Sequence, residues 1–404
     1  MSRLTIVPTL ALLTASLSAV ETSDLSQRLS ALEQEVQALR ERLPTAAPES
    51  AETAFTLGGY GLVAGSVQPG TATHAATHGV TAQFNPIFTF AWREDLLWVG
   101  EVNAELNDTG GTDVALGQAY MAWTRLPNAV VEAGLFPLPF AAYSERLSPA
   151  WINSMGDNHP APYTESYGLF VGDMTDAGLQ FRGVAHIDRM KITAHVFAVA
   201  GPSYNGLEID QATGNLTSSD ERLVFGSNLG QTRTTPTIGG RLGVLPCPGV
   251  EIGFSAMSGG INHPDTYLLA DGTVVDPGDR RSFTAVAGDG EWHHGGFTLR
   301  GELIGLGLDA ADGHRQNSRA GYGQASQRFT FLDGWASGIE LAVRAGRVVR
   351  EAKLGDYEAD TVDVTDWGGA ANYYWTSMVR TSLAANIHNA HDLDTYTLST
   401  TFAF

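Results

Sequence analysis

The chain has 404 residues and a formal net charge of −20, with 24 Lys and Arg against 44 Asp and Glu. That balance excludes a nucleic-acid binder, whose footprint is basic. A hydrophobic content of 43% and a mean hydropathy of −0.07 exclude a bundle of membrane-spanning helices. Cys247 is the only cysteine, set in the turn Pro246–Cys247–Pro248–Gly249, so neither an intramolecular disulfide nor a cysteine-built metal site is available. Positive charge is nearly all arginine, because Lys191 and Lys353 are the only lysines.

Residues 1–20 carry Arg3, an apolar run from Leu4 to Leu17, and small residues at Ser16, Ser18 and Ala19. This is the pattern of a secretory signal, with an apolar core too short to anchor in a membrane. Within 22–43, Leu25, Leu29, Leu32, Val36, Leu39 and Leu43 follow alternating spacings of 4 and 3, the seam of a coiled coil of about three heptads. So short a coil is marginal in isolation. It is expected either to join an assembled oligomer or to fold its apolar face onto its own domain. Residues 44–54 (PTAAPESAETA) read as a linker.

From Phe55 the pattern becomes period-two alternation broken by turns, and no amphipathic helix follows. Sixteen strands are expected: 55–68, 81–93, 96–107, 112–125, 129–136, 174–187, 190–200, 235–245, 249–259, 281–289, 293–305, 319–332, 337–349, 364–376, 378–389 and 394–404. Even-to-odd links are short: Arg93–Asp95, Leu126–Asn128, Asp188–Arg189, Pro246–Pro248, Asp333–Ala336 and Thr376–Ser377. Odd-to-even links are mostly long, above all 137–173, 201–234, 260–280 and 306–318. Short turns on one rim and long loops on the other mark an outer-membrane barrel. An even strand count returns the C-terminus to the short-turn rim and leaves the N-terminal helix in the periplasm.

The last strand, Thr395 to Phe404, alternates strictly, with Tyr396, Leu398, Thr400, Phe402 and Phe404 on one face. Ten residues suit a tilted membrane strand with an aromatic at the interface. A terminal Phe404 is similar to the signal read by barrel-assembly machinery. Outward faces are apolar, as in Leu96, Trp98, Val102 and Leu106, or Leu179, Phe181 and Ile187, or Phe297, Leu299 and Leu303. Trp92, Trp123, Trp335, Trp367, Tyr373, Tyr374 and Trp375 fall near strand ends, as interfacial girdles require.

The opposite parity turns Glu101, Asn103, Glu105, Gln180, Arg182, His186, Thr237, Gly239 and Arg241 inward. It does the same for Thr298, Arg300, Glu302, Glu340, Arg344, Arg350, Arg380, Ser382, Asn386 and His388. Facing arginines and carboxylates require water, so a wet lumen is expected. The arginines serve either as successive weak sites for an anionic or polar solute, or as braces paired with the carboxylates. The longest link, 137–173, carries Tyr143, Glu145, Arg146, Asp157, His159, Tyr163 and Glu165. It either folds into the lumen as a constriction or packs on itself at the surface.

No Gly-x-Ser-x-Gly, His-Glu-x-x-His or phosphate-cradling loop occurs in a strand-to-helix setting. His293–His294 and His74/His78 lack a third ligand. An enzyme is therefore not expected, nor a metal or other cofactor.

Three stretches resemble the phosphate-selective porin O and P family. They are Val99–Gly100–Glu101–Val102–Asn103–Ala104–Glu105, then Gly117–Gln118–Ala119–Tyr120, and Val131 to Phe140 (VEAGLFPLPF) with a Gly-x-Phe-x-x-Pro-Phe-like ending. Trp367 to Tyr374 and the terminal strand are similar too, so the likeness extends over roughly residues 55–404. It implies a sixteen-stranded, homotrimeric outer-membrane channel with passive transport. The scarcity of lysine and the acidic balance depart from the family's phosphate-binding lumen, and phosphate selectivity is not carried over. The added coiled coil resembles that of some dicarboxylate-type trimeric porins.

The expected protein is all-β: a transmembrane antiparallel barrel in the outer membrane of a Gram-negative-type bacterium, preceded by a periplasmic helix. Its expected activity is diffusion of small hydrophilic solutes or ions through a lumen constricted by 137–173. The alternative is a structural protein that tethers the membrane to peptidoglycan through the coiled coil and conducts little.

Overall fold

A computed structural model describes residues 53–70, 75–93, 95–106, 110–156, 158–172, 174–205, 222–226, 235–261, 267–268, 274–275, 281–309, 315–330, 338–351, 361–389 and 394–404. The expected signal and the heptad positions Leu25 to Leu43 lie outside the described residues, as do Asp157 and Trp335.

Sixteen strands close into a barrel. They are β1 (Thr53–Gln68), β2 (Thr77–Trp92), β3 (Leu96–Leu106), β4 (Thr112–Trp123), β5 (Ala129–Pro137), β6 (Thr175–Ile187), β7 (Met190–Val199) and β8 (Thr237–Cys247). The second half comprises β9 (Val250–Ile261), β10 (Arg281–His294), β11 (Phe297–Asp309), β12 (Arg315–Arg328), β13 (Ile339–Arg350), β14 (Val362–Tyr374), β15 (Val379–His388) and β16 (Thr395–Ala403). Each strand pairs antiparallel with its neighbours in sequence, and β16 returns to β1. Closure leaves no edge, which is what lets strands cross lipid with every ladder hydrogen bond made.

The strands fall in the expected order. Their bounds differ most in β10 to β12, where the turn lies at Gly295–Gly296 rather than at 290–292 and both flanking strands shift. The link 306–318, expected to be long, therefore contracts to 310–314, while the turn expected at Asp333–Ala336 becomes the longer link 329–338. The last two residues assigned to the linker, Thr53 and Ala54, belong to β1. Apart from that pair, sorting by parity holds: the two-residue turns 188–189, 248–249 and 295–296 share one rim, and the insertions 138–174, 200–236 and 262–280 share the other.

The outer surface is apolar. Leu303, Val343, Phe254, Val286 and Leu383 are exposed at 53–73% on a face that would be costly in water and is free in lipid. Trp92, Trp123, Trp292 and Trp375 are also exposed, and all sit at or beside the short-turn ends of their strands. They form one interfacial belt. Tyr374, expected in that belt, instead turns inward, where its hydroxyl donates to Glu340 and its ring lies 3.9 Å beneath the Arg328 guanidinium.

Phe404 seals the seam. Its backbone exchanges hydrogen bonds with Gly59 (3.0 and 3.1 Å), and its ring stacks on Phe84 of β2 at 5.5 Å. A side chain at position 59 would meet Asn85 O at 2.5 Å and the Phe404 ring at 2.7 Å, so only glycine fits there. Gly59→Val is expected to weaken closure by about 1–3 kcal/mol. Thermal unfolding followed by heat-modifiable gel mobility reads this as a lower transition temperature.

Candidate functional site

Inward positions divide the lumen in two. On β7 and β9 to β13 several of them are apolar: Phe197, Met257, Phe283, Ile304, Leu306, Leu308 and Val348 are at most 4% exposed. A wet lumen would not bury such residues. They are covered by the long connection after β5, which brings Phe140, Leu147, Leu169 and Phe170 into the same cluster. The expectation of a wholly water-filled interior is thus corrected: one side is a packed apolar wall.

The connection turns inward at VEAGLFPLPF. Gly134 approaches β4 so closely that a Cβ would lie 2.3 Å from Ala119 O. Leu138 N–H donates to Met174 O (2.7 Å), closing the base of the insertion, and Ala141 takes a left-handed φ of 59°. A single π-helical turn, Tyr143–Leu147, follows.

Inward strand residues then hold this segment by its own backbone. Ala141 N–H donates to Ser255 Oγ (3.0 Å) and Tyr143 N–H to Glu302 Oε1 (2.5 Å). Tyr163 Oη–H donates to the other oxygen of Glu302 (3.0 Å). Arg344 donates to the carbonyls of Asn158 and His159 (2.9 and 2.8 Å), Asn372 to that of Ser154 (2.8 Å), and Arg380 to that of Ala150 (2.5 Å). Tyr167 Oη lies 2.8 Å from His388 Nε2. Burial, and then the Glu302 carboxylate, push the Tyr163 phenol well above its ordinary value, so it stays protonated and donating.

An ion network continues from the π-turn toward the short-turn rim. Glu145 faces Arg182 (3.0 Å), His195 (3.2 Å) and Arg241 (3.4 Å). Arg241, 3% exposed, also reaches Asp289 (2.5 Å) and Glu251 (3.0 Å). Arg146 joins Glu251 (2.9 Å) and Glu291 (3.3 Å), and Arg182 joins Glu132 (3.4 Å). A buried guanidinium surrounded by carboxylates is held in place, because removing one partner strands the others.

Two cavities that share part of their lining lie on the opposite side of the lumen. One, of about 320 Å³, is lined by Gln83, Glu105, Asn158, His159, Thr164, Glu165, Ser166, Tyr167, Asn386, His388 and Thr395. The other, of about 170 Å³, lies against Tyr60, Asn85, Asn103 and Ser148–Ala150 and shares Gln83, Glu105, His159 and Glu165 with the first. β1, β2, β3, β15 and β16 form their wall.

Of the nine charged strand residues expected to line the lumen, Glu105 alone borders these two cavities. Arg182 and Arg241 sit in the ion network, and Glu302, Arg344 and Arg380 hold the inserted segment. Glu101 accepts from Gln118 (2.7 Å), Glu340 accepts from Tyr374 (3.1 Å), and Arg300 lies opposite Glu291 and Gln324 in register. In the connection, His159 and Glu165 border both cavities, Tyr143 and Tyr163 stack at 4.8 Å, and Glu145 and Arg146 enter the network. Sequence reasoning missed Glu132, His195, Glu251, Asp289 and Glu291. The inward parity of their strands could have found all but Glu291, which fell in the turn expected at 290–292.

The fold has known counterparts. OmpF of Salmonella typhi superposes with a TM-score of 0.55 at 12% identity, covering 87% of this chain and 98% of that one. The outer-membrane channel DcaP of Acinetobacter baumannii gives 0.55 at 10%, with coverages of 88% and 99%. The trimer form of OmpT, an outer membrane protein of Vibrio cholerae, gives 0.51 at 11%, with 87% and 99%. No family model and no curated protein matches the chain. The sixteen-stranded barrel is therefore the fold of outer-membrane porins and channels.

Arg241→Met is expected to destabilise the barrel by about 3–5 kcal/mol, by leaving Asp289 and Glu251 buried without their cation. Denaturant unfolding in detergent measures it, and adding Asp289→Asn recovers part of the loss.

Proposed function

We propose that this protein is an outer-membrane porin that passes small hydrophilic solutes or ions down their gradients, with the connection 138–174 as its constriction. The observation that carries this reading is the anchoring of that connection. Side chains from β6 to β11 and β13 to β15 hold it across the lumen, and among the described residues polar cavities stay open along β1 to β3, β15 and β16. A barrel that had no passage to shape would have no need to tie a long segment inside itself with buried arginines.

The exported chain reaches the outer membrane, where Phe404 serves as the recognition signal for barrel assembly. The heptad helix lies in the periplasm and adds a three-stranded contact to a homotrimer of barrels, within reach of peptidoglycan. Charge in the lumen is not arranged for phosphate, since Arg182 and Arg241 are taken up by carboxylates and Arg344 and Arg380 by backbone carbonyls.

Planar-bilayer recording of the refolded protein is expected to show stepwise openings in groups of three. Replacing residues 142–169 with a short Gly-Ser linker should raise the unit conductance about twofold, because the widest obstruction is gone. A folded barrel that stays silent in both forms overturns the channel reading in favour of a tether.

A further inference from the structure

Every charged group that borders the open side of the lumen among the described residues is either a carboxylate or a histidine. We propose that the path prefers cations, both small inorganic ions and small amines, and that Glu105 and Glu165 set that preference. The inference rests on the channel reading above and adds the sign of the charge that the channel admits.

Three observations support it. First, five arginines stand apart from these cavities. Arg182 and Arg241 are matched by Glu132, Glu145, Glu251 and Asp289, on the side already filled by the connection. Arg344 and Arg380, each 3% exposed, donate to carbonyls of the connection. Arg222, 8% exposed, does the same at the carbonyl of Glu165. No arginine or lysine among the described residues appears in either cavity lining. Glu105 and Glu165, by contrast, have no hydrogen bond or ion pair from their carboxylates among the described residues, and both border both cavities.

Second, the remaining lining offers oxygen. Asn386, only 5% exposed, borders the larger cavity with its side-chain oxygen unpartnered among the described residues. Asn103, which borders the smaller one, has its side-chain oxygen in the same condition. Carboxylates with neutral oxygens beside them are what a hard cation or an ammonium group takes in place of its water. An anion there would face two like charges.

Third, the formal charge of −20 gives the whole molecule a field that concentrates cations near its mouths. Weak, unshared carboxylates admit a cation and let it leave, which conduction needs.

The test is the reversal potential of single channels under a KCl gradient, for the wild type and for the Glu105→Gln/Glu165→Gln variant. The wild type is expected to reverse on the cation side. In the variant the potassium-to-chloride permeability ratio should fall about two- to threefold with openings retained, since only the charge is removed. Glu165→Lys, at an exposed position of the connection, gives a second reading if the double variant assembles poorly, and it should move the potential further toward the anion side. Heat-modifiable mobility confirms that each barrel is folded. A wild type that reverses at zero or on the anion side, or folded variants with an unchanged ratio, overturns the cation preference alone. Folded protein without openings overturns the channel reading and the preference with it.

Discussion

A guanidinium inside a narrow barrel must find acceptors, and much of this interior depends on that demand. Arg344 and Arg380 meet it with backbone carbonyls of the inserted connection, and Arg241 meets it with carboxylates from two strands and from Glu145. The requirement is reciprocal. A loop buried in a lumen has peptide groups that water no longer reaches, and each unpaired one costs about 1–3 kcal/mol. The strands supply donors where the connection exposes carbonyls, and Glu302 supplies acceptors where it exposes the Tyr143 amide and the Tyr163 hydroxyl. Arginine suits this role better than lysine, because its fixed fork reaches two acceptors at once and it keeps its charge when buried. The near-absence of lysine from the chain fits an interior built on such forks.

The same bracing separates charge within the lumen. Cations used to hold the connection are withdrawn from the open side, so the acids left there, Glu105 and Glu165, act without counterions from the strands. An arginine-rich interior can therefore leave an acidic cavity. The family likeness in VEAGLFPLPF bears on how the connection turns inward, through Gly134 packed against Ala119 and the strained Ala141. It does not extend to positions such as 105 and 165, which lie outside the turn.

Most of the barrel was legible in the sequence because lipid on one side and lumen on the other impose a period of two, and because turn lengths sort by rim. Legibility failed where alternation did. On β11, Leu303–Ile304–Gly305–Leu306–Gly307–Leu308 is apolar or glycine on both faces, since Leu303 meets lipid while Ile304, Leu306 and Leu308 meet the connection. A strand buried on both faces reads as a continuous apolar run, and that run was the available sign of a packed inner wall. The end of β10 was obscured by glycines of its own, Gly288 and Gly290. Ending the strand at 289 hid Glu291, and with it the partner of Arg146. The ion network was harder to see, because its members come from six strands and from a turn whose position only the tertiary fold sets.

A second insertion helps to fix the first. Residues Phe170–Val171, near the end of the long connection, pair in parallel with Arg222–Val224, which in turn pair antiparallel with Ser203–Asn205. Both of these last segments belong to the link between β7 and β8, so the two longest insertions on the loop rim are joined by a small sheet. Leu223, Phe225 and Phe170 carry the apolar core from the barrel wall into that sheet, and Arg222 reaches back to the carbonyl of Glu165. Glu165 is thus positioned through its own backbone while its side chain stays exposed to the cavity. A carboxylate fixed at the main chain, with no side-chain partner among the described residues, keeps its place beside the cavity.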